Sequence, residues 1–388
     1  MDIEVNILKH HNETLYYLSM KYLVLLLVAT CSCSFNGEAE DSLTSSQVND
    51  DSLGKDTTDS FEDVSEKKTV NFKEVSPNDL ISGVSQIPGL TSFIVQQNGE
   101  QIEQFFSDNM NADRPVNIKS ASKSILSALI GIALQEGYLE SIDDQVKKYL
   151  PAYFEHLDDS GKSAITIRHL LTMSSGLEST SFRNYGAWVT SGDWIAHKLN
   201  GQLEHYPGKR MRYSTGDTHL LSAVLTEATG MSTRRFAEIY LFDPVNERIG
   251  GWDRDPTGYF FGGNNMSVSP LALLQFGELY LNDGEVDGRE IIPSDWVEDT
   301  FTSYFNDTSY NYRNHDYGFL WWANKFHSFE SWFGWGYGGQ YLFVIPELNG
   351  VAVFTSDSRS RAANRNDRIY EVMEELVIPL LYHRRKAT

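Results

Sequence analysis

The chain has 388 residues, 41% of them hydrophobic and 13% aromatic, so it can bury a sizeable core in one large domain or two smaller ones. Its formal net charge of −21 excludes a nucleic-acid-binding role, because a surface that binds phosphates needs clustered Lys and Arg. Both cysteines lie near the N-terminus. The rest of the chain therefore has no disulfide framework, cysteine-ligated zinc site or cysteine nucleophile.

The N-terminal part predicts an export signal followed by a tether. Residues 1–33, with Met20 as an alternative start, contain an apolar run far shorter than the ~20 residues that cross a bilayer, so they predict a signal peptide. The segment is similar to a bacterial lipoprotein signal, in which lipid is carried by Cys31 or, alternatively, by Cys33; an ordinary secretory signal is the other interpretation. Residues 34–70 are rich in Ser, Asp and Glu, which predicts a disordered tether. We expect an exported, lipid-anchored protein of the bacterial cell envelope.

Residues 71–388 predict one folded domain of the α+β class. The segments 91–97 and 101–106 flank an Asn-Gly pair, which is the strongest short signal for a β-hairpin. Near the C-terminus, 341–345 and 351–355 flank a second turn, and an amphipathic helix follows. Mostly helical segments separate the two hairpins. We therefore expect both hairpins to complete one antiparallel sheet with flanking helices, and the middle of the chain to form a mostly helical lobe.

The first candidate catalytic motif lies at the start of a very apolar helix. Ser120 precedes this helix, and Lys123 lies one turn later on the same side. A lysine held against a buried helix loses solvation, which lowers its pKa, and a neutral amine can take the proton of a serine hydroxyl. On its own, Ser-x-x-Lys also fits a helix-capping serine followed by a surface lysine.

Two further motifs suit acyl transfer. Tyr213 lies in a loop with Arg210 and Arg212 before a second apolar helix, and nearby cations favour a phenolate that relays protons; a packing tyrosine fits equally. Four glycines between Phe333 and Gln340 let the backbone approach a ligand closely, so that its N–H groups can form an oxyanion hole. The alternative for the glycines is a strained turn that leads into a strand.

Taken together and in this order, the three motifs resemble those of the serine β-lactamase and penicillin-binding-protein superfamily. The resemblance is strongest to its class C-like branch of esterases and 6-aminohexanoate-oligomer hydrolases. It runs from about residue 80 to the end and includes two connecting segments, 141–151 and 165–177. The resemblance implies the β-lactamase/transpeptidase-like fold.

The resemblance also implies a role for each motif. Ser120 matches the acylated serine, Lys123 the lysine one turn later, and Tyr213 the tyrosine of the family's Tyr-x-Asn motif. Whether Lys123 or Tyr213 is the base for acylation stays open. The oxyanion hole is implied to use the backbone amides of Ser120 and Tyr337. Further substrate-binding positions are implied beside them, at Gly336, Gly338 and Thr215. No metal and no cofactor are implied.

Two departures from the family pattern bear on the substrate. Thr215 stands where the family often has Asn, and Gly336-Tyr337-Gly338 stands where lactamases and carboxypeptidases have Lys-Thr-Gly, whose lysine binds a substrate carboxylate. Arg210 or Arg212 can replace that lysine. We therefore expect a serine hydrolase that acts through an acyl-enzyme on small ester or amide substrates. The alternatives are a β-lactamase, a D-Ala-D-Ala carboxypeptidase-like enzyme, or a catalytically silent envelope-binding protein on the same fold. The sequence does not indicate the oligomeric state.

Other catalytic classes lack their motifs in this sequence. It has no Gly-x-Ser-x-Gly elbow and no His-Glu-x-x-His, which argues against an α/β-hydrolase and a zincin. His169 is expected to be structural. The tryptophans near the glycines either line an apolar acyl pocket or pack in the core; they are Trp321, Trp322, Trp332 and Trp335.

Overall fold

The computed structural model describes residues 72–157, 161–308, 314–360 and 362–387. The predictions for residues 1–33 and 34–70 lie outside these ranges. Within them, none of the helices combines the length and the apolar character needed to cross a membrane.

The architecture centres on one seven-stranded antiparallel sheet with the strand order β2-β1-β11-β10-β9-β8-β7. Its strands are β1 Leu90–Gln97, β2 Glu100–Phe106, β7 Asp316–Tyr317, β8 Trp322–Phe326, β9 Phe329–Gly336, β10 Gln340–Ile345 and β11 Gly350–Ser356. Two small ribbons accompany it: β3 Val116–Asn117 pairs with β4 Ser267–Val268, and β5 Glu285–Val286 pairs with β6 Arg289–Glu290.

Both predicted hairpins form, and they meet in this one sheet. Asn98 and Gly99 take positive φ angles of 55° and 74°, which closes the tight turn between β1 and β2. Asn349, with φ 47°, ends the turn before β11. Because β1 pairs directly with β11, the two hairpins share the sheet, as the sequence predicts.

Helices fill the segment between the hairpins and both ends of the domain. They are α1 Pro77–Ser85, α2 Ser122–Gln135, α3 Val146–Tyr149, α4 Pro151–Phe154, α5 Ile167–Leu171, α6 Tyr185–Val189, α7 Trp194–Asn200, α8 Thr215–Thr229, α9 Thr233–Ala237, α10 Pro270–Leu281, α11 Ser294–Thr300, α12 Arg365–Val372 and α13 Ile378–Ala387. One antiparallel sheet, flanking helices and a mostly helical middle segment confirm the α+β architecture that the sequence predicts.

Two of these helices, α2 and α8, form the core around the candidate site. Every residue of α2 from Ser122 to Ala133 is buried, and the helix packs on α8, α11 and β9. Both helices end at a glycine in the left-handed region, Gly137 for α2 and Gly230 for α8. The candidate motifs lie at the N-termini of both helices.

Candidate active site

Ser120 lies in a single 3₁₀ turn, residues Lys119–Ala121, immediately before α2. No side chain caps the start of α2, so the Ser120 hydroxyl is not used as a helix cap. The neighbouring serines are occupied: Ser122 donates to the Lys119 carbonyl oxygen at 2.7 Å, and Ser124 donates to a backbone carbonyl oxygen at 3.0 Å. Of the three serines, Ser120 is the one that lines a pocket.

Lys123 is the deeply buried cation of this site, with 2% of its surface exposed. Its Nζ lies 3.1 Å from Ser120 Oγ, 3.3 Å from Thr215 Oγ1 and 2.7 Å from the Gly263 carbonyl oxygen. Burial lowers the pKa of Lys123 to about 7, because none of these partners is a carboxylate that would stabilise the charge. A neutral amine that donates one N–H to Gly263 keeps a lone pair with which it can accept the Ser120 proton.

Tyr213 completes the cluster from the loop before α8. Its ring stacks on Trp322 with centroids 5.6 Å apart, and Lys123 Nζ lies 5.1 Å from the ring centroid. Burial raises the pKa of Tyr213 well above its ordinary value, which a hydrogen bond with Ser120 only partly offsets. The expectation of a cation-stabilised phenolate is therefore wrong. Desolvation outweighs the nearby charges, and Arg212 is paired with Glu204 at 3.3 Å.

Thr215 begins α8, and its hydroxyl faces the cluster. Thr215 Oγ1 accepts from Lys123 and exchanges a hydrogen bond with Ser181 Oγ at 3.0 Å. The start of α8 is held by a buried ion pair in which Lys198 Nζ lies 2.7 Å from Asp217 Oδ1. This anchoring fixes Thr215 within hydrogen-bond distance of Lys123.

The glycine-rich strand end lies against the turn that carries Ser120. A Cβ on Gly336 would lie 2.1 Å from the Ile118 carbonyl oxygen, and one on Gly334 would lie 2.9 Å from Ser124 Oγ. Only glycine allows β9 to approach this closely. Tyr337 follows directly, with its side chain 72% exposed, and Gly338 has φ +82°. The oxyanion role of the Tyr337 amide stays a prediction.

These elements enclose a pocket of about 470 Å³. Part of its lining is aromatic and part is polar; the residues are Lys119, Ser120, Ser181, Phe182, Tyr185, Tyr213, Thr215, Asn264, Asn265, Trp335 and Tyr337. Of the four tryptophans considered from the sequence, Trp335 lines this pocket. Trp321 and Trp332 are buried in the core, and Trp322 supports Tyr213. The described part of the chain contains no cluster of three or more side chains that could hold a metal ion.

Sequence reasoning missed the loop that brings Gly263, Asn264 and Asn265 to the site. A Cβ on Gly263, which has φ +72°, would lie 2.5 Å from Lys123 Cγ. The loop is anchored by a buried pair, His219 Nε2 and Asp255 Oδ2, at 3.0 Å. The available signal is the run Gly-Gly-Asn-Asn itself, because paired glycines followed by short amides are typical of a backbone that approaches other groups closely.

Three other residues that the sequence singles out lie outside this pocket: His169, Arg210 and Arg212. His169 Nδ1 accepts a hydrogen bond from the Thr166 amide at 3.1 Å and so caps α5, which is a structural role. Arg210 and Arg212 line an adjoining pocket together with Arg183 and Tyr213. The fold thus brings the predicted residues Ser120, Lys123 and Tyr213 together. The two arginines line only the adjoining pocket.

The fold is that of the serine hydrolases that share the β-lactamase fold. The chain belongs to the Beta-lactamase family, whose model matches residues 78–376. The family resemblance drawn from the motifs is therefore confirmed.

Known proteins of several activities are similar to this chain. The 6-aminohexanoate-dimer hydrolase of Paenarthrobacter ureafaciens is 22% identical over 292 residues, which cover 68% of this chain and 71% of that protein. A penicillin-binding protein homologue from Caulobacter crescentus superposes with a TM-score of 0.63 at 15% identity, covering 80% of this chain and 100% of that one. A D-stereospecific amidohydrolase from Streptomyces sp. gives 0.60 at 17% identity, with 77% and 97% covered. At these identities the structural matches establish the fold.

Proposed function

We propose that this protein is a carboxylesterase or amide hydrolase that works through an acyl-enzyme on Ser120. The observation that carries the proposal is the 3.1 Å contact between Ser120 Oγ and the buried Nζ of Lys123, in a pocket of about 470 Å³. A buried amine with a pKa of about 7 matches the requirement that a general base be poised near the working pH.

Acylation begins when Lys123 accepts the hydroxyl proton and Ser120 Oγ attacks the substrate carbonyl carbon. The tetrahedral oxyanion is held by backbone amides, which we assign to Ser120 and Tyr337 because β9 lies against the nucleophile turn. With its raised pKa, Tyr213 stays a neutral phenol and is suited to donate a proton rather than to accept one. This difference in pKa favours Lys123 over Tyr213 as the acylation base.

Collapse of the intermediate then breaks the bond to the leaving group. Tyr213 protonates the departing alcohol or amine and regains its proton from Lys123, so the enzyme returns to its starting charge. A water molecule attacks the acyl-enzyme while Lys123 accepts its proton. Lys123 then passes this proton to Ser120 Oγ as the bond between the acyl group and Ser120 breaks, so the acid product leaves and both residues return to their starting state.

Two observations support ester or amide substrates over β-lactams. The residues from Gly336 to Gly338 carry no cation at the strand position whose lysine binds the substrate carboxylate in lactamases, and the cation of this pocket, Lys119, lies instead in the turn with Ser120. Among the relatives found by sequence, one is a 6-aminohexanoate-dimer hydrolase. A lost charge-assisted hydrogen bond costs roughly 1.5–3 kcal/mol, or about one to two powers of ten in kcat/KM.

Covalent labelling with a fluorophosphonate tests the proposal directly. We expect one adduct, which mass spectrometry places on Ser120, and no adduct on the Ser120→Ala variant. An adduct on Ser122, Ser124 or Ser214 refutes the assignment of the nucleophile. The absence of any adduct favours a catalytically silent binding protein.

A substrate comparison tests the finer part of the proposal. We expect a higher kcat/KM for p-nitrophenyl butyrate than for nitrocefin. A higher kcat/KM for nitrocefin would indicate that the protein is a β-lactamase.

We also propose that the protein is exported and tethered by lipid on Cys31 or Cys33. This proposal rests on the sequence pattern of residues outside the described ranges.

A further inference from the structure

The residue before the nucleophile carries a cation into the active-site pocket. Lys119 lines this pocket and is half-buried. Its Nζ donates a hydrogen bond to Asn265 Oδ1 at 3.2 Å, and it forms no ion pair with a carboxylate among the residues that the structure describes. An ammonium group that has lost part of its water and has only an amide oxygen as partner keeps donor capacity for a ligand.

Neighbouring groups hold this cation in place. The Lys119 backbone has φ +52°, a conformation that costs free energy for a residue with a side chain, and its N–H is fixed by Asn117 Oδ1 at 2.9 Å. Asp253 Oδ2 accepts from Asn265 Nδ2 at 2.9 Å, which turns the Asn265 oxygen toward Lys119. Asp253 thus orients the amide and attracts the lysine charge without binding it directly.

The other cations near the pocket are engaged or stand outside it. Lys123 is committed to Ser120, and Arg212 pairs with Glu204 at 3.3 Å. Arg210 lines the adjoining pocket and not this one. The chain has a net charge of −21, which repels anions at long range. A cation in the pocket therefore provides a local attraction for an acidic substrate.

We propose that Lys119 is a specificity residue that binds a carboxylate carried on a flexible chain of the ester or amide substrate. The inference rests on the proposed hydrolase function and names its substrate class: half-esters or half-amides of short dicarboxylic acids, or esters and amides whose leaving group bears an acid. The glycine-rich segment after Phe333 offers no such cation, whereas the turn that contains Ser120 does.

Three esters test this proposal on the full chain. Two carry a carboxylate, mono-p-nitrophenyl glutarate on the acyl side and 4-(butyryloxy)benzoate on the leaving-group side; p-nitrophenyl butyrate is neutral. The readout is the ratio of kcat/KM for each acidic ester to that for the neutral ester. We expect Lys119→Gln to lower this ratio by about 10- to 100-fold for at least one acidic ester, mainly through KM. Lys119→Arg keeps the charge and should keep most of the ratio.

Two matched variants separate the pocket cation from charge in general. Arg210→Gln removes a cation from the adjoining pocket, and Lys209→Gln removes an exposed one that lines neither pocket. We expect both variants to keep the wild-type ratio. A ratio that falls with Arg210→Gln and not with Lys119→Gln overturns the assignment and gives the role to the arginine.

The outcomes also separate this proposal from the proposed function. A Lys119→Gln variant that loses activity equally on all three esters shows that Lys119 only supports the fold of the turn, which overturns the inference while the hydrolase function stands. An unchanged ratio has the same consequence. A wild-type protein that hydrolyses none of the esters and takes no fluorophosphonate label refutes the hydrolase function, and this inference with it.

Discussion

The clearest quantitative consequence of the site is a pH dependence set by Lys123. The lysine must be neutral to accept the Ser120 proton, and burial lowers its pKa to about 7. The neutral fraction is then about one half at pH 7 and about one tenth at pH 6. We expect kcat/KM for p-nitrophenyl butyrate to fall about tenfold per pH unit below 7 and to level off above about pH 8, because this constant reports the free enzyme.

The same burial predicts how the stability of the protein depends on pH. Between pH 7 and 10.5 the unfolded chain holds a proton on Lys123 that the folded protein has lost, so stability rises with pH. For pKa values of 10.5 unfolded and about 7 folded, the gain between about pH 7 and 9 is roughly 2 kcal/mol. Wild-type protein should therefore gain this amount relative to Lys123→Met, which is similar in length and does not titrate.

Denaturant unfolding of both proteins at the two pH values measures this difference, and the Met variant should also lose activity by about 10²- to 10⁴-fold. Because the comparison is a difference between two proteins, the titration of all other groups cancels. A flat activity profile for the wild type between pH 5 and 8 would refute the role of Lys123 as the base. Equal pH dependence of stability in the two proteins would show that its amine is not desolvated.

Three further predictions concern the other parts of the chain. Tyr213→Phe keeps the stack on Trp322 but removes the proton donor, so kcat for esters should fall by about 10²-fold or more while the melting temperature changes little. Gly336→Ala forces a clash with the turn that carries Ser120, so it should lower activity and should reduce the free energy of unfolding by about 1–3 kcal/mol. Gly186→Ala, which adds its methyl group in open space on α6, is the control. Mass spectrometry of mature protein should find lipid on an N-terminal cysteine, and a soluble protein with another N-terminus would contradict the export prediction.

The fold was predictable because each hairpin is specified by a short stretch of sequence, a turn with a strand on either side. The Asn-Gly turn specifies the first hairpin, and the two apolar runs on either side of the last turn specify the second. That the two join through β1 and β11 follows from the need to bury both apolar strands. The apolar runs in the sequence also predicted the two buried helices that directly follow Ser120 and Tyr213.

The lining of the pocket was not predictable to the same degree. Asn265 lies 146 residues from Lys119 in sequence, and only the tertiary fold reveals their contact. The direction of the Tyr213 pKa was predicted wrongly for a related reason. The sequence shows that Arg210 and Arg212 lie close to Tyr213 along the chain. It does not show that Arg212 is paired with Glu204 or that burial removes water from the Tyr213 phenol. Desolvation depends on packing around a group, which residue spacing does not report.

Two buried lysines show how partners decide the role of such a side chain. Lys198 and Lys123 are 1% and 2% exposed, but Lys198 Nζ lies 2.7 Å from a carboxylate oxygen of Asp217, whereas Lys123 contacts only hydroxyls and a carbonyl. Lys198 thus has a carboxyl partner, and it also donates to Ser214 Oγ at 3.0 Å and so fixes the residue next to Tyr213.

Asp217→Asn tests this division of roles, because it removes the only carboxylate that the described structure pairs with Lys198. Leaving a buried ammonium without its counter-charge should cost about 3–5 kcal/mol of unfolding free energy. We expect the pair replacement Lys198→Met with Asp217→Leu to recover much of that loss, since it removes both charges. If the single Asn variant unfolds at the wild-type denaturant concentration, the pair does not hold the start of α8. The placement of Tyr213 and Thr215 must then depend on the hydrogen bonds of Ser181 and Thr180 to that segment instead.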